Sequence, residues 1–530
     1  MSPSAYAATP GGGTAGVDVS GATNWSSAPS GTKFAYIEAT DNAKLNSHFY
    51  ANWAGATQAS LARGAYSFGV PNKTASNGAT QATYFYENGG AISTASPYSL
   101  PPALDIEFDP TDVSGIKDPT GCWNLSAGQT QNWINSYVST FKKLSGVTPI
   151  IYTSKAYWND CVGASTMLKT YPLWISDTSS SSKPALGFGG WTTWKLRQYK
   201  TSTSGFDLDE FNGSVASLRA LGTPRISGSD RYGTSLAAAL SFKPGVTTAF
   251  VADSQNYPDA LSAGAAAGKK GGPVLLVPPS GALPAPVKQA LSYLKPKNIV
   301  VVGGTTAVSS GVANALKSYA TVTREDGQDR YGTSAAVAKN FPAGVANAYV
   351  AMGTDWRDAL SGSALAASKQ GSGPMLLVST NSIPASVANE LSILRPKHIY
   401  VLGGTTVVTS AVLSALVKYT ATRSSGAVGR LSGADRYATS VAIAQHLDSL
   451  NGSTTGPLYA ASGTNFPDAL VGAPVAALTS QPLLLVPPTT ALPSEVRGEA
   501  SRLKATSLAI LGGDFAVSAI VQSSLNGLVG

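Results

Sequence analysis

The feature that most constrains this chain is a triplication in its C-terminal part. Asp230-Arg231-Tyr232-Gly233-Thr234 returns as Asp329-Arg330-Tyr331-Gly332-Thr333 and again as Asp435-Arg436-Tyr437-Ala438-Thr439, at spacings of 99 and 106 residues. Each copy continues through the same landmarks in the same order. Asp259-Ala260-Leu261 matches Asp358-Ala359-Leu360 and Asp468-Ala469-Leu470, and Gly303-Gly304 matches Gly403-Gly404 and Gly512-Gly513. Between the first two landmarks and Gly303, apolar runs at 248–252, 273–277 and 298–302 read as buried strands, and Ala-rich stretches at 259–267 and 285–294 as helices. Self-similarity at this period predicts three tandem modules, each a small parallel α/β (Rossmann-like) unit. The copies occupy 225–321, 324–421 and 430–530, each long enough for its own core.

Residues 13–218 have another rhythm. Candidate strands fall at 16–20, 34–39, 64–69, 103–108, 149–152, 173–176, 195–199 and 206–208, with a clear amphipathic helix over 127–144. Ser126 and Gln129 form a capping box at its start. Eight strands with too few helices for every gap predict an irregular (β/α) barrel, so the chain as a whole is α/β.

Charge separates the two parts. Residues 1–222 carry 14 Lys/Arg and 14 Asp/Glu, so of the 37 basic and 29 acidic residues in the chain the remaining 23 and 15 lie beyond them. The whole net charge of +8 therefore belongs to the repeats and points to a polyanionic partner. On charge alone nucleic acid and an anionic wall polymer are both candidates; the basic residues are scattered singly without a Lys/Arg-rich run, and nucleic acid is not the expected partner. Nucleotide binding lacks a phosphate-loop lysine or dinucleotide fingerprint. No apolar run is long enough to span a bilayer. Ala5-Tyr6-Ala7 has the small-residue pattern of an export-signal end without the apolar segment before it; a trimmed signal and an ordinary flexible tail over 1–12 both stay open. Cys122 and Cys161, 39 positions apart in one domain, suit one disulfide of an exported protein, with two buried free thiols as the alternative.

The chemistry concentrates in Leu104-Asp105-Ile106-Glu107-Phe108. Alternate side chains of a strand face opposite ways, so Asp105 and Glu107 point together into the barrel. Like charges raise one another's pKa, which is what a glycosidase needs: one carboxyl kept protonated as acid, the other ionised beside it. Strand-end acids bonded to loop amides and water are the competing reading. Asp18 and Asp207 sit near the ends of two other candidate strands and converge on the same mouth. Tyr36, Tyr66, Tyr152, Trp174 and Tyr199 are candidates for stacking on sugar rings, or else core. With only His48, His398 and His446, neither a zinc site nor a histidine-partnered nucleophile assembles, and no metal or cofactor is expected.

Through Gly16-Val17-Asp18-Val19-Ser20, Phe34-Ala35-Tyr36-Ile37-Glu38-Ala39-Thr40, Gly64-Ala65-Tyr66-Ser67-Phe68, Leu104-Asp105-Ile106-Glu107, Ile151-Tyr152-Thr153, Leu173-Trp174-Ile175 and Phe206-Asp207-Leu208-Asp209, the first part resembles glycoside hydrolase family 25, the lysozymes. The resemblance implies cleavage of the β-1,4 bond from N-acetylmuramic acid to N-acetylglucosamine. It makes Glu107 the proton donor and Asp105 the ionised partner, with Asp18 and Asp207 as supporting acids. Glu38 stands where that family often has Lys, and Ser67 where it often has His. The repeats resemble the cell-wall-binding repeat 2 family, whose three modules pack as a triangular pseudo-trimer and hold proteins on anionic wall polymers. Arg231, Arg330 and Arg436 are the repeated cations expected to meet the polymer, against a rival reading in which each pairs with the Asp before it. Together these imply a secreted, wall-associated, monomeric peptidoglycan hydrolase; a wall or adhesion protein that binds glycan without cutting it is the alternative.

Overall fold

The computed structural model describes residues 9–71, 77–90, 99–108, 120–145, 147–201, 205–221, 225–228, 230–452 and 456–529. The expected tail lies outside these residues up to position 8. The chain divides into two compact units, Met1–Thr223 and Pro224–Gly530.

In the first unit the strands are β1 (Thr14–Val19), β2 (Phe34–Asp41), β3 (Lys44–Leu45), β4 (Ala62–Phe68), β5 (Ala103–Asp105), β6 (Ile150–Ser154), β7 (Leu173–Ser176), β8 (Leu196–Lys200) and β9 (Asp207–Phe211). Their order, β1-β9-β8-β7-β6-β5-β4-β2 with β1 also paired to β2, closes an eight-stranded barrel, and the short β3 hangs on β2. Within the barrel the pairings are parallel except those of β9, which runs antiparallel to both β8 and β1; β3 is antiparallel to β2. The irregular α/β barrel read from the sequence is thus present.

Alternation along the strands fills the interior. Phe34, Tyr36, Tyr66, Ala103, Ile150, Tyr152, Trp174, Leu196 and Phe211 form one inward cluster. The floor leaves no room for neighbours with a Cβ: one added at Gly16 would sit 2.1 Å from the Phe34 ring, and one at Gly64 2.2 Å from the Tyr36 ring. Above this apolar floor the inward positions turn acidic. Ala103 is followed on the same face by Asp105 and Glu107, Gly16 by Asp18, and Phe211 is preceded by Asp209 and Asp207. The predicted strand over 103–108 stops at Asp105, yet Ile106 N–H still donates to Tyr152 O, so the extended row carries on. The helix Ala127–Ser145 packs Trp133, Tyr137 and Phe141 inward.

The second unit holds three four-stranded parallel sheets, as the α/β reading of the repeats requires. The first is Val274–Val277, Thr248–Asp253, Asn298–Val302 and Thr321–Glu325; its counterpart is Met375–Val378, Asn347–Met352, His398–Leu402 and Val428–Leu431. In each, the fourth strand comes from the opening of the following repeat. The third sheet is completed by Arg225–Ile226, which pairs with Ser507–Leu511 and brings the start of the unit back to its end. The sequence suggests three separate cores; the structure instead has each repeat finish its neighbour's sheet, so that the edge beside Asn298–Val302 and its equivalents is covered.

One arginine on each of these donated strands fixes the join. Arg225, Arg324 and Arg430 donate from one guanidinium nitrogen to the carbonyls of Gly512, Gly303 and Gly403, and from the other to Val517, Val308 and Val408. These glycines hold φ of +102°, +101° and +93°, where a side chain would be strained, and a Cβ there would strike Asp468, Asp259 or Asp358. The repeated Gly-Gly is therefore a close-packed turn.

Candidate active site

The acids meet in a cavity of about 390 Å³ at the barrel mouth, lined among others by Asp18, Glu38, Tyr66, Asp105, Glu107, Tyr152, Trp174, Gln198 and Asp207. The C-terminal ends of the parallel strands supply most of them, as barrel geometry favours. Asp207 begins its strand instead of ending it. Because β9 is antiparallel, its first residue lies opposite Asp18, which brings the two carboxylates to one rim.

Hydrogen bonds order the walls. Gln198 Nε2 donates to Asp18 Oδ2 at 2.9 Å, while its Oε1 accepts from the Tyr152 hydroxyl at 2.9 Å. Trp174 Nε1 donates to Asp209 Oδ1 at 2.9 Å, and Asn46 Nδ2 to Glu38 Oε1 at 2.7 Å. Trp123 Nε1 donates to the Glu107 carbonyl at 2.8 Å. The neighbouring Cys122 is disulfide-bonded to Cys161, so a covalent link braces the segment that steadies the acid.

Electrostatics follows from packing so many carboxyls into low-dielectric surroundings. Burial, with the charges of Asp18 and Asp207 behind it, pushes Glu107 from 4.5 up to about 7. Burial and then Asp207 raise Asp18 from 3.8 to about 7. Glu38 is lifted from 4.5 to about 7 mainly by burial, against the Asn46 hydrogen bond. Asp105, only 8 % exposed, goes well above 3.8 through burial and the charge of Glu107. Burial and mutual repulsion thus push Glu107, Asp18, Glu38 and Asp105 toward their protonated forms, whereas the resemblance implies an ionised Asp105.

Of the five aromatics, Tyr66, Tyr152 and Trp174 line the cavity. Tyr36 is fully buried beneath it, its hydroxyl donating to Pro101 O at 2.9 Å and its ring 4.7 Å from that of Trp174. Tyr199 is not among the lining residues, because Gln198 takes the inward position on β8 and the next residue faces the other way. Asp209, fully buried against Trp174 and Asp18, escaped the sequence reading, although its spacing of two from Asp207 repeats that of Asp105 and Glu107.

In the repeats, Arg330 and Arg436 donate to Gly353 O at 2.8 Å and Gly463 O at 2.7 Å, and Arg231 donates to Ser254 O. None is ion-paired with the Asp before it. Those aspartates cap helices, accepting from Gly233 N at 2.8 Å, Gly332 N at 2.7 Å and Ala438 N at 2.9 Å. The repeated Asp-Arg-Tyr is thus accounted for by a helix start and a loop tether. Among the described residues no helix is long and apolar enough to cross a membrane.

Comparison with known proteins agrees with this geometry. The family model for glycosyl hydrolases family 25 matches residues 17–207, and that for cell wall binding domain 2 (CWB2) matches 225–313, 324–413 and 430–522. Lysozyme M1 of Streptomyces globisporus is 38% identical over 223 residues, covering 39% of this chain and 71% of that protein. N-acetylmuramoyl-L-alanine amidase LytC of Bacillus subtilis is 34% identical over 265 residues, and the chain spans about half of its length, 49%. The solved structure of Cwp8 from Clostridium difficile aligns with a TM-score of 0.50 at 25% identity, covering 57% of this chain and 51% of that one. With the barrel falling on the first match and the three α/β modules on the second, the chain belongs to glycosyl hydrolases family 25 and carries three cell wall binding domain 2 repeats.

Proposed function

We infer that this protein is a muramidase that cuts peptidoglycan glycan strands outside the cell while its repeats hold it on the wall. The observation carrying this reading is the convergence of Asp105 and Glu107 with Asp18 and Asp207 on one open cavity walled by Tyr66, Tyr152 and Trp174. Glu107 is less buried than Asp105 and is assigned as the acid that protonates the leaving glycosidic oxygen. Asp105 lies deeper. Its carboxylate form, reached when the acid cluster has given up a proton to solvent, stabilises the positive charge growing at the anomeric carbon or orients the N-acetyl group. Asp18 and Asp207 oppose the ionisation of Glu107, and Gln198 keeps Asp18 in place. Attachment raises the local enzyme concentration on an insoluble substrate without altering its chemistry, and the positive balance of the repeats favours an anionic wall polymer as the anchor.

Digestion of purified wall, followed by borohydride reduction and sugar analysis, tests the reading. New reducing ends on N-acetylmuramic acid are expected. Reducing N-acetylglucosamine, or free amino groups without new reducing sugar, would refute the bond assignment.

A further inference from the structure

Three helices of the repeats, Pro258–Lys270, Arg357–Ala367 and Pro467–Leu478, pack against one another. They meet at equivalent positions five residues after the aspartate of Asp-Ala-Leu. A Cβ on Gly264 would lie 2.2 Å from Ser363 Oγ and 3.9 Å from Ala473 Cβ, and Ser363 Oγ donates to Leu261 O at 3.2 Å. Small residues thus mark a pseudo-threefold axis. At the N-terminal end of the same axis, each helix is preceded by an aromatic residue two positions before that aspartate: Tyr257, Trp356 and Phe466. The Tyr257 and Phe466 rings are 5.9 Å apart, and the Trp356 and Phe466 rings 6.2 Å apart. All three are half-buried, so each packs on its neighbours and still shows a face to solvent.

Packing alone does not explain this cluster. A core position would take the rings out of water, whereas here three of them share an open patch on the axis where helices of all three repeats meet. The residue before each ring is Asn256, Asp355 or Asn465, and both asparagines are exposed. Ring faces edged by amides and a carboxylate match a pyranose, whose C–H face stacks on aromatics while its hydroxyls bond at the rim. Charge around the patch is balanced, not concentrated: Arg231, Arg330 and Arg436, which reach the carbonyls of Ser254, Gly353 and Gly463 three residues before the rings, are offset by the first-turn acids Asp468, Asp259 and Asp358, and Arg357 is paired with Asp355 at 3.3 Å. A phosphate is therefore a poorer fit than a sugar ring.

We propose that Tyr257, Trp356 and Phe466 form one axial saccharide-binding platform, assembled only when all three repeats are together, that takes a pyranose ring of a wall polysaccharide. The proposal rests on the wall-anchoring reading of the repeats. It divides the work of anchoring between the diffuse positive charge, which attracts, and the platform, which recognises.

The test uses the full chain with Glu107→Gln in the background, sedimented with purified walls. Trp356→Ala, Tyr257→Ala and Phe466→Ala should each weaken binding about tenfold or more, as aromatic anchors do when truncated, while Trp356→Phe retains most of it. Trp356 is the only tryptophan beyond residue 222, so the fluorescence difference between the parent and Trp356→Phe reports the platform directly and should change on adding soluble wall polysaccharide. Comparing intact walls with acid-stripped walls assigns the ring to an accessory polysaccharide if the Trp356 dependence vanishes on stripping, and to the glycan strand if it persists. Without the Glu107 change, Trp356→Ala should hydrolyse soluble glycan fragments at the parental rate, which separates failure of the platform from failure of the muramidase reading. Parental wall binding by all three alanine variants, or an unresponsive Trp356, overturns the proposal.

Discussion

Glu107→Gln keeps the shape of the side chain and removes the proton that the reaction needs. The carboxyl sits at about 7 because burial and the charges of Asp18 and Asp207 oppose its ionisation. A group with that value is about 99 % protonated at pH 5, about half at pH 7 and about 9 % at pH 8. If Glu107 must enter the reaction protonated, kcat/KM falls about elevenfold between pH 5 and pH 8, since that ratio reports the free enzyme. A glutamic acid at the ordinary 4.5 would already have lost most of its proton at pH 5. Because Asp18 and Asp105 share the cavity, the measured midpoint belongs to the cluster, and its position near neutrality is what the geometry predicts. General-acid catalysis contributes about 10² to 10⁴ in rate, so Glu107→Gln should lose that much and show no alkaline decline in what remains. Reducing-sugar release from a soluble glycan oligomer, followed from pH 5 to pH 8, keeps wall binding out of the measurement. A variant within tenfold of the parent, or a parent whose kcat/KM is flat from pH 6 to pH 8, would sink the assignment.

Glu38 is held near 7 in the fold against an ordinary 4.5, so its stabilising contribution is complete below about 4.5 and is lost as pH rises through about 7. Calorimetry should show a Tm that declines over this window, and Glu38→Gln, which still accepts from Asn46, should decline less; equal slopes would contradict the account. Arg197 is fully buried, donates to the carbonyls of Asp177, Ser179 and Ser181, and lies 3.5 Å from the Asp177 carboxylate. Arg197→Met should cost about 3–5 kcal/mol in urea unfolding, through the stranded carbonyls and the lost counter-charge; less than about 1 kcal/mol would refute that role. Replacing Cys122 and Cys161 together with Ser opens a loop of 39 residues and should cost about 4 kcal/mol on the chain-entropy estimate. An unchanged urea midpoint would mean that the loop is already constrained without the bond.

The barrel was legible because its signals are local. Short apolar runs, the period-two acids at Asp105 and Glu107, and the capping box at Ser126 each act over a few residues. The pairing of Asp18 with Asp207 was legible only as a proximity, since nothing near Asp207 shows that its strand runs antiparallel. Tyr36 and Tyr66 occupy the same face of neighbouring strands, one beneath the cavity and one in its wall; height along the barrel axis depends on register, which a single sequence does not encode. In the repeats the conspicuous Asp-Arg-Tyr drew attention to Arg231, Arg330 and Arg436, whose structural work is to tether loops. The quieter Arg225, Arg324 and Arg430, each five residues before the aspartate, make the tighter attachments, but they serve a strand exchange whose partners lie far along the chain.

That exchange makes the anchor a hoop with a fixed number of links. Arg225 and Ile226 must find Ile510 and Leu511, almost at the other terminus, before any of the three sheets has a finished neighbour on both sides. Losing one link leaves the helices of the other two with an Ala-lined face and no third helix to meet it. Repeat number is then a property of closure instead of a dial for tuning adhesion, and grip would be adjusted by altering residues within the links.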